Sequence, residues 1–146
     1  MAGPVRLYLA STSPARLATL RAVGIDPIAL PSHVDEDAAV AGAGPLTPAQ
    51  LVQLLARLKA EAVAAAGPGE GERFDGLILG GDSAFEIGGE LHGKPHLPEV
   101  ARERWHRQRG RSGVLHSGHW LIDARGGVGG RAVGGVSSTT VTFADD

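Results

Sequence analysis

VRLYLASTSPARLATLRAVG, residues 5–24, passes from an extended run to a helix through one tight polar turn, and that passage points to an α/β fold. Val5 to Ala10 is apolar with β-branched and aromatic members, which suits a strand. Ser13 is a good N-cap. Pro14 suits the first helical position, because its ring presets φ and its missing N–H would have no partner there anyway. Leu17, Leu20 and Val23 then give one apolar face up to Gly24, a natural helix stop.

The pattern continues downstream. Ile28 to Leu30 reads as a short strand bracketed by Pro27 and Pro31. Val34 to Pro48, rich in Ala, Gly, Pro and acids, reads as a loop. Thr47 caps a second helix starting at Pro48, with Leu51, Leu54, Leu55, Leu58 and Ala62 at helical spacing and Gly67-Pro68-Gly69 ending it. Leu77 to Gly81 reads as a buried strand that delivers Asp82 at its end. Ala84 to Ile87 and Glu90 to His92 flank Gly88-Gly89 as a hairpin. Pro98 to Arg109 is a helix carrying Trp105. Val114 to Asp123 and Arg131 to Phe143 are long strands joined by a Gly-rich turn at 126–130. The order β-α-β-α-β-β-α-β-β predicts a mixed sheet with helices packed on it.

Composition narrows the function. A length of 146 residues suits one domain, and 22 Gly with 9 Pro show no collagen period. A net charge of −2 argues against a nucleic-acid partner. The absence of Cys excludes disulfides, thiolate metal sites and a cysteine nucleophile. The apolar runs are far too short to span a membrane, and the N-terminus lacks a signal-peptide layout. Of 14 basic residues only Lys59 and Lys94 are lysines, which suggests particular uses for those two ammonium groups.

Four constellations carry chemistry. Ser11, Thr12, Ser13 and Arg16 surround the start of the first helix, where unpaired N–H groups, a partial positive charge and hydroxyls suit a phosphate; an ordinary Ser-Pro cap with a surface Arg would look the same locally. Asp35-Glu36-Asp37 offers carboxylates to a hard cation such as Mg²⁺, or forms a solvated acidic turn. In Gly80-Gly81-Asp82-Ser83 the glycines permit close approach of a backbone or phosphate, and Asp82 can bind metal or accept a proton; an Asx turn is the alternative. In Gly93-Lys94-Pro95 the proline biases Lys94 toward an extended backbone from which it could pair with phosphate. Lys59 follows Leu58, off the leucine stripe, where a lone lysine reads as a solvated helix face. His116 and His119, three apart in a strand, point to opposite faces, and the six histidines form no metal pattern. Trp105 and Trp120 read as core or interface.

ASTSPAR (10–16), VDED (34–37), LARLKAEAV (55–63), LILGGDS (77–83), ELHGKP (90–95) and RGRSGVLHSGH (109–119), in this order, resemble the Maf family of nucleotide pyrophosphatases, also called septum formation protein Maf. The likeness runs over nearly the whole chain. It implies a mixed twisted β-sheet flanked by helices, related to the inosine triphosphate pyrophosphatase fold, with an active-site cleft between two lobes. It implies hydrolysis of ribo- or deoxynucleoside triphosphates, modified or non-standard ones among the candidates, to the monophosphate and pyrophosphate. A divalent cation, Mg²⁺ or Mn²⁺, a cytoplasmic location and frequent dimerisation belong to the same expectation.

Carried over by position, Asp82 matches the family's catalytic acid, and Ser11, Arg16, Glu36, Lys59 and Lys94 match its other polar site positions. Asp82 with Glu36 would hold the metal and activate water for attack on the α-phosphorus. Arg16, Lys94 and the turn from Ser11 to Ser13 would hold the triphosphate, and Lys59 would contact phosphate or orient a carboxylate. Ala15 and Ser83 stand where the family's base preference varies and match neither known pattern, so no base is named. Family members continue past the equivalent of Thr142-Phe143, so residues 1–146 are expected to form a single Maf-like domain lacking part of the substrate lobe. The alternative is a non-catalytic nucleotide-binding protein that acts on septation through partners. A small flavodoxin-like domain fits the first strand and helix but leaves Lys94 and Asp82 unexplained.

Overall fold

The computed structural model describes residues 5–69, 72–92, 98–126 and 130–144. In chain order these form β1 (Arg6–Ala10), α1 (Pro14–Ala22), β2 (Ile28–Ala29), α2 (Glu36–Ala43), α3 (Pro48–Ala66), β3 (Gly76–Ile87), β4 (Glu90–His92), α4 (Pro98–Gln108), β5 (Ser112–Asp123) and β6 (Ala132–Thr142). One mixed sheet runs β2-β1-β3-β5-β6, with β4 on the edge of β3. β1 pairs in parallel with β2 and β3, and the remaining pairs are antiparallel. The expected α/β architecture is therefore present.

Both sequence-predicted caps form. The Ser13 hydroxyl oxygen accepts from the Arg16 N–H at the start of α1. Thr47 and Gln50 make a reciprocal capping box at the start of α3. The hairpin at Gly88-Gly89 also forms, both glycines taking positive φ.

α3 packs on the sheet through small residues. Its buried positions are Val52, Leu55, Ala56, Ala60 and Val63. A Cβ at Gly80 would run into the Ala56 carbonyl oxygen, and one at Gly118 into that of Val52. The register of β3 and β5 pairs Asp82 with Gly118 and Gly80 with Trp120, so all four share one face of the sheet. The helix backbone therefore settles into a glycine-floored trough beside Asp82. Below it, Tyr8, Val63, Phe74, Ile78 and Ile122 form the core, with the Tyr8 and Phe74 rings edge-to-face at 4.9 Å. Complete burial of Leu9 and Ile78 contributes about 1.5–3 kcal/mol each.

Three readings of the sequence are corrected. The stretch 34–48 is not all loop: Asp35 caps Ala38 and starts α2, whose first-turn acids, Glu36 and Asp37, complement the helix dipole. β3 does not end before Asp82 but runs on to Ile87, because β5 pairs with it without interruption as far as Glu86. The buried face of α3 is rotated from the leucine stripe, of which only Leu55 is buried.

At the end of β5 the Asp123 carboxylate accepts from Arg125 Nε at 2.9 Å and Nη2 at 2.8 Å and from the Arg125 backbone N–H at 3.1 Å. These Arg125 bonds hold its pKa at about 2. An NMR titration is expected to show a midpoint near that value, and Arg125→Ala should return it toward about 3.9. Because the folded value is depressed, any stabilisation from this pair is present above the unfolded value and is lost as pH falls from about 3.9 toward about 2. Among the described residues no helix is long and apolar enough to cross a membrane.

Candidate active site

Strand pairing leaves a notch in the sheet. β1 pairs with β3 as far as Ala10 opposite Gly80, and β4 pairs with it only from Phe85, opposite His92, to Ile87. Among the described residues, β3 from Gly81 to Ala84 is paired on its β5 side only. The chain leaves β1 at this notch through Ser11–Ser13 and enters α1. Around it opens a cleft of about 1440 Å³, lined among others by Ser11, Ser13, Ala15, Arg16, Glu36, Lys59, Asp82, Ser83 and His119. It is an open cleft, larger than the roughly 300–1,000 Å³ of an ordinary ligand pocket.

Lys59 sits at the centre of the acidic side. Its Nζ donates to Glu36 Oε1 at 2.7 Å, to Asp82 Oδ1 at 3.0 Å and to the Gly81 carbonyl oxygen at 3.5 Å. Its side chain is 17% exposed and that of Asp82 is 16%, while Glu36 is 47% exposed. The reading of Lys59 as a solvated lysine is thus overturned. It lies four residues before the buried Val63 and seven after the buried Val52, on the face turned to the sheet. The expectation that Glu36 comes from a loop is replaced by its place at the first position of α2, reached after a left-handed turn at His33 (φ 57°).

Burial pushes the Asp82 carboxyl above the usual carboxylate range, and Glu36 pushes the same way. Together they outweigh the opposing pull of Lys59 and Arg16. Arg16 approaches from the other face of the sheet. A Cβ at Gly81 would lie 2.7 Å from its Nε, so the missing side chain is what admits the guanidinium. Its Nη2 donates to Ser83 Oγ at 3.2 Å, and Ser83 Oγ in turn lies 3.3 Å from Ser117 Oγ. Burial lowers the Arg16 pKa against the attraction of Asp82. Burial, followed by the charge of Arg16, lowers that of His119.

At the head of α1, Ser11 Oγ accepts from the Ser13 N–H at 3.0 Å, and Ser13 Oγ accepts from the Arg16 N–H at 3.3 Å. Both hydroxyl oxygens are taken as acceptors by backbone donors, which leaves their O–H groups to donate to a ligand. The structure thus gathers Ser11, Ser13, Ala15, Arg16, Glu36, Lys59, Asp82 and Ser83 around one cleft. Lys94 lies outside the described residues. His119, which the sequence offers only among histidines that form no metal pattern, and Ser117, which it does not single out, also belong to the face that Arg16 approaches. They are found by period-two counting on β5 once its register with Gly81 and Ser83 is known.

Among the described residues no group of three or more His, Asp or Glu converges as a cage for a metal ion. The two carboxylates that do converge, Glu36 and Asp82, suit an Mg²⁺-type cation, which takes one or two protein carboxylates and completes its shell with water and substrate phosphate.

The family model described as Maf-like protein matches residues 6–145. A "Nucleoside triphosphate pyrophosphatase" of Leifsonia xyli subsp. xyli is 67% identical over 145 residues, covering 97% of this chain and 66% of that protein. One of the same name from Nocardia farcinica is 50% identical over 139 residues, covering 94% of this chain and 65% of that protein. The chain thus spans about two thirds of the length of these relatives. A solved structure titled "Structure of a HAM1 protein from Coxiella burnetii" aligns at 15% identity with a TM-score of 0.46, covering 92% of this chain and 72% of that one.

Proposed function

We propose that this chain, which belongs to the Maf-like protein family, binds a nucleoside triphosphate in the cleft and hydrolyses it to the monophosphate and pyrophosphate. The observation that carries this reading is the meeting of the Glu36–Lys59–Asp82 cluster with Arg16 and the head of α1 across a single strand edge. One side of the notch is built to accept protons and hold cations. The other is built to hold anions.

Arg16, the O–H groups of Ser11 and Ser13 and the positive end of α1 bind the phosphate chain, with Lys94 as a further cation. Arg16 offsets the charge that develops on pyrophosphate as it leaves. A water placed beside Asp82 gives a proton to its Oδ and attacks the α-phosphorus; the bond from that phosphorus to the bridging oxygen breaks, and the electron pair departs with pyrophosphate. The raised Asp82 pKa suits this task, because a buried carboxylate is a stronger base than an exposed one. Glu36 and Asp82 would hold Mg²⁺ or Mn²⁺, which when bound supplies positive charge beside the reacting phosphate. Ala15 and Ser83 line the same cleft, and in this reading they set base preference. A cytoplasmic location, dimerisation and action on modified nucleotides belong to this same reading.

The test is pyrophosphate release from a panel of nucleoside triphosphates, with and without Mg²⁺ or Mn²⁺. Release dependent on the cation supports the reading. Tight nucleotide binding with no release from any of them overturns it in favour of a non-catalytic nucleotide-binding protein. Arg16→Ala should weaken binding of a non-hydrolysable triphosphate by about 10- to 100-fold, the loss of charge-assisted hydrogen bonds. Arg16→Lys should recover only part of this, since an ammonium cannot reproduce the planar fork. Calorimetric titration of the three proteins reads both effects.

A further inference from the structure

We propose that Lys59 is the resident counter-cation of the Glu36–Asp82 pair: it holds both carboxylates in place in the nucleotide-free protein and gives way to a divalent cation that enters with the triphosphate. The proposal rests on the metal-assisted reading above and adds to it a role for a side chain of this protein.

The surroundings of the ammonium carry the argument. An ammonium has three N–H donors, and the three oxygens around Lys59 Nζ are Glu36 Oε1 at 2.7 Å, Asp82 Oδ1 at 3.0 Å and the Gly81 carbonyl at 3.5 Å. Among the described residues the hydrogen-bond partners of this ammonium are oxygens, two of them from carboxylates, which is the environment a hard divalent ion seeks. The charges agree with an exchange. Two carboxylates and one ammonium leave a net −1, too little to draw in a free divalent ion strongly. With the ammonium gone the pair carries −2, which a divalent ion neutralises.

Lys59 also has somewhere to go. Its stem is flexible, it lines the same cleft as Arg16, Ser11 and Ser13, and an incoming triphosphate offers it new anionic partners. Metal and nucleotide therefore bind together rather than one after the other. The free protein takes up metal weakly, and its carboxylates stay ordered without it. Lys59 is in this sense a positioning residue, acting through Glu36 and Asp82.

Mn²⁺ binding to the full chain without nucleotide, read by electron paramagnetic resonance, tests this. Lys59→Met should bind Mn²⁺ more tightly than the unaltered protein by roughly tenfold or more, because a competing positive charge within 3.0 Å of Asp82 has been removed. Lys59→Arg, which keeps the charge, should stay close to the unaltered protein. Equal or weaker Mn²⁺ binding by a folded Lys59→Met overturns the proposal. Should Lys59→Met fail to fold, as judged by circular dichroism, the ammonium resonance of Lys59 in the unaltered protein decides. It should change on adding Mg²⁺ with an α,β-methylene triphosphate analogue, and an unchanged resonance overturns the proposal. If Mn²⁺ binds with the analogue but Lys59→Met and the unaltered protein do not differ, only the role of Lys59 falls. If Mn²⁺ binds to none of the proteins even with the analogue, the metal-assisted reading falls with it.

Discussion

Asp82→Asn is expected to lower pyrophosphate release by roughly 10²- to 10⁴-fold, the usual worth of a positioned general base, while leaving the melting temperature no lower than that of the unaltered protein. The two halves of this prediction have one cause. Burial raises the Asp82 pKa, and Lys59 with Arg16 does not fully offset it. A carboxyl whose folded pKa is raised binds its proton more tightly folded than unfolded. Its favourable contribution is therefore present at low pH and declines as pH rises from about 3.9 toward the folded value. Above that window the ionised group is a net cost to the fold. Asn has nearly the same shape and carries no charge. Its amide oxygen can still face the Lys59 ammonium, and Glu36 remains at 2.7 Å to hold it. The variant thus loses the base and sheds the cost of a buried charge, as happens where activity and stability oppose each other. Undiminished release would remove Asp82 from the reaction. A melting temperature many degrees lower would show that the Lys59–Asp82 contact outweighs burial.

Much of the frame is legible in the sequence because it rests on local chemistry. Ser13-Pro14, Thr47-Pro48 and Gly88-Gly89 act within a few residues, and each cap or turn forms where the sequence puts it. What was misread depends on distant partners. β3 passes through Gly80-Gly81 instead of stopping because β5 supplies an unbroken ladder alongside, which no residue in LILGGDS announces. The helical spacing of Leu51, Leu54, Leu55 and Leu58 points the buried face of α3 toward the leucines. The helix instead turns its small residues inward, since Gly80 and Gly118 let backbone approach backbone, and a leucine at Ala56 or Ala60 would hold the two apart. By its local spacing Lys59 reads as solvated for the same reason, and only the family likeness puts it in the site, although its spacing from Val52 and Val63 places it on the buried face. The acids at 35–37 read as loop because the whole stretch 34–48 is rich in Ala, Gly, Pro and acids, yet the Asp35 cap and the alanines suffice for two turns of helix before Gly44 ends it. Glu36, Asp82 and Arg16 nevertheless line one cleft, because their approach depends on where the elements lie and not on where each begins or ends.

Gly80→Ala should be among the most damaging single-methyl changes in this protein, and it should harm the fold and the site together. The new Cβ would run into the Ala56 carbonyl oxygen and lie 2.9 Å from both the Ala60 Cβ and the Ala60 backbone N. Those atoms belong to a helix backbone and cannot rotate away as a side-chain end would. Either α3 lifts from the sheet or β3 bends, and overpacking of this kind costs about 1–3 kcal/mol or more. In a chain of this size each kcal/mol lowers the melting temperature by about 2–4 °C or somewhat more. Lys59 precedes Ala60, so a helix displaced at Ala60 carries the ammonium off Glu36 and Asp82. Activity measured well below the melting temperature should therefore fall as well. Gly135→Ala is the control. A Cβ there meets nothing within 4 Å, on an exposed part of β6, and its effect should stay within about 0.5 kcal/mol. Thermal melts of the two variants side by side decide the matter. If Gly80→Ala melts within a degree of the unaltered protein, α3 does not rest on the glycine trough, and the placement of Lys59 against Asp82 loses its support.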